Sequence, residues 1–276
     1  MTVPSSASPA PPGARRYRYD DLLMAAFVTV LLCSNLIGPG KSCSIALPFA
    51  LPLLGSTLVF GAGNIFFPIS YIFGDVLTEV YGYAKARKVI WAGFISMAFA
   101  TLMGWAIIHL PRNPGEPYSE RLQPALELCF GNTWRIVLAS MVAFWAGDFA
   151  NSYVLARMKI LTRGRWLWTR TIGSTCVGQG LDSLLFYPVA LASWHPLLKG
   201  LGVTSPSVLA AFDGWNSSTV LQTVMFNWAF KVAVEVVMTP LTYLVVGWLK
   251  RAEREDFFDV ATDFSPFSLH EDPRSN

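Results

Sequence analysis

Long apolar segments alternate with short polar stretches along most of this chain. Six of these segments are close to the roughly 20 residues that a helix needs to cross a lipid bilayer. They lie at residues 22–37, 64–83, 89–110, 134–156, 171–194 and 220–249. The pattern predicts an all-α integral membrane protein, with six transmembrane helices in one domain at residues 20–251. The Pro-, Ser- and Ala-rich residues 1–19 and the acidic residues 252–276 lack an apolar period and are predicted to be disordered tails.

One apolar segment, at residues 45–60, departs from this pattern. Pro48, Pro52 and the turn signal Gly55-Ser56-Thr57 interrupt any continuous helix. We therefore expect residues 44–61 to form a re-entrant piece or a small hairpin, which does not cross the membrane.

The basic residues support six spans and predict their orientation. With the N-terminus in the cytoplasm, fourteen Lys and Arg flank the cytoplasmic ends and five flank the opposite ends. A seventh span at residues 45–60 would change this ratio to twelve against seven. Because cytoplasmic loops carry an excess of positive charge, the sequence predicts six spans with both termini in the cytoplasm.

Composition agrees with a membrane protein and narrows the possible functions. The chain is 53% hydrophobic and 14% charged, whereas soluble domains have about 25% charged residues. Its net charge of +3 requires no nucleic acid partner. The four cysteines have no CxxC or Cys/His spacing, and the three histidines lie at helix ends or in the tail. We therefore predict neither a metal or cofactor site nor an enzyme.

Two acids in the second apolar segment indicate a functional site. Asp75 and Glu79 are four residues apart and so lie on one face of a helix. An ionisable group facing lipid is costly, so acids in such segments normally face the bundle interior or an aqueous path. A simpler interpretation remains for Glu79, which could be solvated at the cytoplasmic rim.

Polar residues recur inside the later helices at spacings that keep them on one face. The full candidate substrate-binding set is Asp75, Glu79, Trp145, Asp148, Asn151, Gln179, Asp182, Asn227, Lys231 and Glu235. A structural role stays open for some of them. Lys231 and Glu235 could neutralise each other along one helix, and Asn151 or Gln179 could join helices by hydrogen bonds.

The chemistry of this set suits a planar, nitrogen-rich solute. Carboxylates and amides accept hydrogen bonds from ring N–H and exocyclic amino groups, and Trp or Phe faces can stack on a ring. The sequence predicts a small-molecule cargo handled within the lipid bilayer.

At this point the residues resemble a known family. The stretches FPISYIFGDVLTEVYGYAKARKVIWAGF, ASMVAFWAGDFANSYVLARMK, TIGSTCVGQGLDSLLFYPVAL and FNWAFKVAVEVVMTPLTYLV are similar to queuosine precursor transporters, the YhhQ-type vitamin uptake transporter family. The resemblance implies a six-helix bundle similar to the S components of energy-coupling-factor transporters. It also implies import of 7-cyano-7-deazaguanine or 7-aminomethyl-7-deazaguanine across the plasma (inner) membrane, for salvage into tRNA queuosine.

Three other functions compete with a carrier that acts alone. An ATP-driven pump is disfavoured, because Gly40-Lys41-Ser42 imitates the end of a Walker A loop but the first glycine position is Asn35. A substrate-binding subunit that needs coupling-factor partners stays open, although Ala25 and Thr29 give only weak small-residue spacing on the first helix. A small-ion channel would conduct without saturation.

Overall fold

The computed structural model describes residues 17–37, 42–51, 55–111, 113, 115–131 and 134–268. The described residues are mostly helical, which confirms the all-α expectation, and one two-stranded hairpin precedes α2. The helices are α1 (Asp20–Ile37), α2 (Phe67–Tyr81), α3 (Tyr83–His109), α4 (Pro117–Phe130), α5 (Trp134–Leu161), α6 (Leu167–Leu191), α7 (His195–Gly200), α8 (Pro206–Ala211) and α9 (Ser217–Glu253).

Six of these helices coincide with the six apolar segments of the sequence. Three of the six, α1, α3 and α9, are long and apolar enough to cross a membrane, and a fourth span is possible if α4 and Arg135–Leu161, bent by 44°, form one unit. α2 has 15 residues, a rise of about 22 Å at 1.5 Å per residue, which is shorter than a bilayer core of about 30 Å. α5 and α6 are long enough but contain the polar residues singled out above. The number of crossings therefore stays a prediction.

The proline-interrupted segment before α2 is a hairpin. Strands β1 (Ser42–Leu51) and β2 (Gly55–Gly61) pair in antiparallel register, with Ser42 opposite Gly61 and Ala46 opposite Thr57. A 3₁₀ turn at Ala62–Ile65 then leads into α2. Whether this hairpin enters the membrane stays a prediction.

α2 is the central element of the bundle. It packs against α1, α3, α5 and α9, and every side chain from Asp75 to Tyr81 is buried. Most of these residues are apolar or small, but two are acids. The contacts of those acids with neighbouring helices therefore determine how the bundle is held together.

The chain after α9 packs against the bundle. The Asp259 carboxylate accepts the backbone N–H of Tyr83, the first residue of α3, at 2.9 Å. Phe257 donates its backbone N–H to the Val80 carbonyl at 3.2 Å. Gly82, with φ at +84°, has no side chain to block this approach, since a Cβ there would lie 2.3 Å from the Phe257 ring.

Further along, the same segment binds α3 through side chains. Arg87 donates to the backbone carbonyls of Asp263 and Ser265 at 2.7 and 2.9 Å. Trp91 donates its indole N–H to the Pro266 carbonyl at 2.8 Å. The expectation of a disordered tail is therefore wrong for residues 252–268. Residues 252 and 253 belong to α9, and the following residues have buried hydrogen-bond partners.

The predicted N-terminal tail is described only from residue 17. Tyr17 packs edge-on against Tyr81 with 4.8 Å between ring centroids. The backbone N–H groups of Arg18 and Tyr19 donate to the Glu253 carboxylate at 3.0 and 2.7 Å. Residues 1–16 of the predicted N-terminal tail and 269–276 of the predicted C-terminal tail lie outside the described residues.

The C-terminal segment supplies an acid to the end of the bundle, and this generates a prediction about stability. Asp256 lies 2.6 Å from Lys159 and 2.8 Å from Lys250. Partial burial acts to raise the pKa of Asp256, but the hydrogen bonds from both lysines outweigh it and hold the pKa below its ordinary value. Asp256→Asn should therefore lower the melting temperature of the detergent-purified protein at pH 7. The loss should correspond to about 0.2–1 kcal/mol for each pair, because the Asp256 side chain is 47% exposed and water screens its charge.

The effect should depend on pH in a defined direction. A depressed pKa means that the stabilisation is fully present above the unfolded-state pKa of about 3.9 and is lost as the pH falls through the folded-state pKa. The melting temperatures of wild type and Asp256→Asn should converge at low pH. Glu120→Gln, an exposed acid-to-amide change on α4, is the control. Equal melting temperatures at pH 7 would contradict the assignment.

Candidate functional site

Asp75 is buried at the centre of the bundle with one hydrogen bond. Its Oδ1 accepts from the Asn151 amide nitrogen on α5 at 2.7 Å, and its side chain has no solvent exposure. The other oxygen, Oδ2, has no hydrogen-bond partner among the described residues. A buried acceptor without a partner carries an unrecovered desolvation cost, so such a group marks a position where a ligand or proton can be accommodated.

An ion pair lies between α6 and α9. Lys231 donates to Asp182 at 2.5 Å, and Lys231 also lies over the Tyr71 ring, 5.8 Å from its centroid. Asp148 interacts electrostatically with both members of the pair. Lys231 is thus engaged by Asp182 on the neighbouring helix, which removes the alternative that it serves only to neutralise Glu235 on its own helix.

Glu235 on α9 interacts with Asp75 on α2. The two carboxylates interact electrostatically across the α2–α9 contact, and Glu235 is 2% exposed. Its Oε1 has no hydrogen-bond partner in the described part of the chain. The same holds for the side-chain oxygens of Asn151 and Gln179. These buried oxygens can each accept a further hydrogen bond.

Two glycines allow α5 and α6 to carry these residues into close contact. A Cβ on Gly178 would lie 2.6 Å from the Cβ of Asn151 and 2.8 Å from the Gly147 carbonyl oxygen. A Cβ on Gly147 would lie 2.9 Å from the Cβ of Asp182. Small residues let helix backbones approach closely in membranes. This crossing fixes the lateral positions of Asn151 and Asp182.

Glu79 lies one helical turn after Asp75, with which it interacts electrostatically, at the end of the bundle where α2, α5 and α9 end and α6 begins. Its Oε1 accepts from Arg170 and Lys250, each at 2.7 Å, and lies 3.7 Å from the Lys159 ammonium. Glu79 has no solvent exposure. The interpretation of Glu79 as a solvated rim residue is therefore wrong, because three cations from three helices surround it. Its geometry is that of an ionic crosslink.

Trp145 and Asn227 make contacts of other kinds. Trp145 packs in an aromatic cluster with Trp91, Phe149 and Phe267, at centroid distances of 6.3, 5.2 and 5.7 Å. Asn227 donates to the Thr223 carbonyl one turn before it at 2.9 Å. Their roles in binding stay predictions.

A small cavity lies beside Asp148 and Asn151. It has a volume of about 10 Å³, lies between α1, α2, α3 and α5, and has Tyr71 among its lining residues. That volume is about what one water molecule needs. The Asp182 side chain, in contrast, is 22% exposed. Among the described residues, no group of three or more His, Cys, Asp or Glu is arranged to hold a metal ion.

Comparison with known proteins identifies the class to which this site belongs. Residues 61–245 match the family model described as "Putative vitamin uptake transporter". The chain belongs to this vitamin uptake transporter family. The matched region contains all ten candidate residues, and a multi-pass membrane protein with a small-molecule cargo follows from this membership.

One curated relative is a "Probable queuosine precursor transporter" from Bacillus subtilis (strain 168). It is 29% identical to this transporter over 194 residues, which cover 70% of this chain and 74% of the relative. No solved structure matches this chain.

The structure also shows residues near the site that the sequence analysis did not select. Tyr71 interacts electrostatically with Asp148 and Asp182, and Tyr187 interacts with Lys231. Tyr71 stands four residues before Asp75, on the same helix face, and this spacing could have revealed it. No sequence pattern places three cations around Glu79, because a sequence does not show which helix ends meet.

The close crossing of α5 and α6 leads to a prediction about site geometry. Gly178→Ala should strongly reduce transport per molecule, because the added methyl group would push Asn151 and the Gly147 backbone away. Gly180→Ala is the matched control on the same helix, since a Cβ there would make only an ordinary contact at 3.4 Å with Trp228. Cargo uptake normalised to membrane-resident protein checks this. Equal loss in both variants, or none in Gly178→Ala, would contradict a site positioned by this crossing.

Proposed function

We propose that this transporter imports a queuosine precursor, 7-cyano-7-deazaguanine or 7-aminomethyl-7-deazaguanine, across the plasma membrane for tRNA queuosine salvage. The observation that carries the proposal is the Lys231–Asp182 pair, held in the bundle interior with Asp148 close by. The name of the Bacillus subtilis relative supports the same cargo.

The pair matches the polar edge of a 7-deazaguanine. That edge presents a carbonyl oxygen beside a ring N–H and an exocyclic amino group. A carboxylate can accept two hydrogen bonds side by side, and an ammonium can donate to a carbonyl. In the proposed bound state, Asp182 accepts from the N–H groups while Lys231 donates to the ring carbonyl. Without cargo the two groups neutralise each other, which limits the cost of burying them.

Transport then requires access from each side in turn. The crosslink of Glu79 with Arg170 and Lys250 closes the bundle at the end that we assign to the cytoplasm. Asp256 adds a second acid to that end by contacting Lys250. We propose that cargo release to the cytoplasm opens this cluster. Charged groups freed there would be hydrated, so the opening would exchange ion pairs for water contacts.

The six-helix topology, with a bundle similar to S components and both termini in the cytoplasm, is part of this proposal. The buried contacts of Glu79 join the C-terminal ends of α2, α5 and α9 to the N-terminal part of α6. Each helix in the series α2, α3, α5, α6 and α9 therefore runs opposite to the one before it. Such alternation is what successive membrane crossings require. Separate coupling-factor subunits remain a second possible arrangement, which expression of this chain alone would test.

The first functional prediction concerns cargo. This protein alone, expressed in cells that lack precursor synthesis and their own importer, should restore queuosine in tRNA when either base is supplied. Uptake should saturate and resist competition by riboflavin or biotin. Asp182→Asn, Asp75→Asn and Lys231→Met should each lower apparent affinity about tenfold to a hundredfold, as losing a charge-assisted hydrogen bond of roughly 1.5–3 kcal/mol implies. Uptake must be expressed per molecule in the membrane.

The outcomes separate cargo handling from scaffolding. If all three variants match wild type within about twofold, these charges serve the fold and the site assignment is wrong. If uptake never saturates, the protein is a channel. If queuosine returns only when coupling subunits are also present, the chain is a binding subunit.

The second prediction concerns topology. A reporter that works only in the cytoplasm should be active when it is fused after residue 276. Membrane-impermeant thiol reagents should label Cys129, an exposed residue of α4, in cells whose outer barrier has been opened. Labelling of Cys129 only after lysis would overturn the orientation, which rests on the positive-inside rule.

A further inference from the structure

The interior of the bundle has an excess of negative charge that the Lys231–Asp182 pair does not balance. Four described carboxylates interact with one another or with Lys231, namely Asp75, Asp148, Asp182 and Glu235. Lys231 is the cation that these contacts bring to them. Asp75 also interacts electrostatically with Glu79, whose own charge is compensated by Lys159, Arg170 and Lys250. Fully ionised, the four carboxylates and Lys231 would together carry a net charge of −3.

Buried acceptor atoms without partners give the second, independent observation. Asp75 Oδ2, Asn151 Oδ1, Gln179 Oε1 and Glu235 Oε1 have no hydrogen-bond partner among the described residues. Their residues are at most 5% exposed. In the carboxylate and amide forms each of these oxygens needs a donor, and a buried acceptor left unsatisfied is costly. The Trp145 indole nitrogen and the Thr175 and Ser183 hydroxyls also have no partner among the described residues. The four oxygens therefore favour a ligand that brings donors.

The two parts of the site are one helical turn apart. Lys231 and Glu235 occupy positions i and i+4 of α9, so their Cβ atoms are separated by about 5–6 Å. Asp182 contacts the first of these residues, and Asp75 interacts with the second. When Lys231 binds the ring carbonyl, a substituent at position 7, which projects beside that carbonyl, lies within about one helical turn of Lys231 and so near Glu235 and Asp75.

We infer that Asp75 and Glu235 form a cation subsite, which makes this transporter prefer a 7-deazaguanine with a primary ammonium over its nitrile analogue. The inference rests on the proposed function. A primary alkyl ammonium resembles the lysine side chain, whose pKa near 10.4 keeps it charged at neutral pH. It offers three donors to the unpaired acceptors. A nitrile offers only an acceptor, which leaves Asp75 Oδ2 and Glu235 Oε1 without donors and places like partial charges together.

Direct competition between the two bases tests the preference. In vesicles containing the purified full-length protein, the aminomethyl base should show the higher ratio of maximal uptake rate to half-saturating concentration. Glu235→Gln keeps the shape of the side chain and removes its charge, so it should lower the ratio of aminomethyl to cyano uptake by about tenfold. Asp75→Asn should change the ratio in the same direction and serves if Glu235→Gln does not insert. Glu120→Gln on α4 is the matched control and should leave the ratio unchanged.

The outcomes distinguish failure of the cation subsite from failure of the proposed function on which it rests. A wild-type preference for the ammonium base that falls in the amide variants supports the subsite. Uptake of both bases with equal efficiency, a preference for the nitrile, or a ratio that neither variant alters overturns the subsite and leaves the proposed cargo class intact. Uptake of neither base overturns the proposed function and this inference together.

Discussion

The burial of two carboxylates on one short helix is the constraint on which the rest of this structure depends. α2 packs against four other helices, and both Asp75 and Glu79 have no solvent exposure. A buried charge is tolerated only when it is paired, hydrogen-bonded or neutralised by a proton. Four residues apart, these acids meet the requirement in different ways. Glu79 has two cations within 2.7 Å and a third at 3.7 Å, whereas Asp75 has one amide donor and an oxygen without a partner.

This difference separates a structural acid from a functional candidate. The Glu79 cluster joins α2, α5, α6 and α9, so removing any one partner would leave uncompensated charge inside the bundle. Asp75 and Glu235 have retained acceptor capacity that no described side chain uses. Unused capacity of this kind destabilises the empty protein and is recovered when a donor arrives, which is how a binding site differs energetically from a scaffold contact.

Close packing of α5 and α6 positions these polar side chains. The contact of Gly147 and Gly178 brings Asn151 on α5 and Asp182 on α6 toward the central helix, and the space beside them holds about one water. The ionic cluster at Glu79, which the C-terminal segment reaches through Asp256, joins the helices at one end of the same bundle.

The sequence by itself determined where the six apolar helices lie, since apolar length and charge pattern are local properties that each segment carries alone, whereas the short helices α4, α7 and α8 were not predicted. It also determined which interior residues bear charge, and the matched family confirmed the transporter class. The sequence did not determine which elements contact one another. The partner of Lys231 is Asp182 because α6 and α9 pack together, and Glu79 is buried because three distant basic residues meet at one end of the bundle. The tail was misjudged for the same reason. Residues 254–268 have no periodicity of their own, and Phe257, Asp259 and Arg87 make their contacts only once the helix ends stand side by side. Local pattern fixes elements, whereas burial and pairing depend on distances that exist only in the folded bundle.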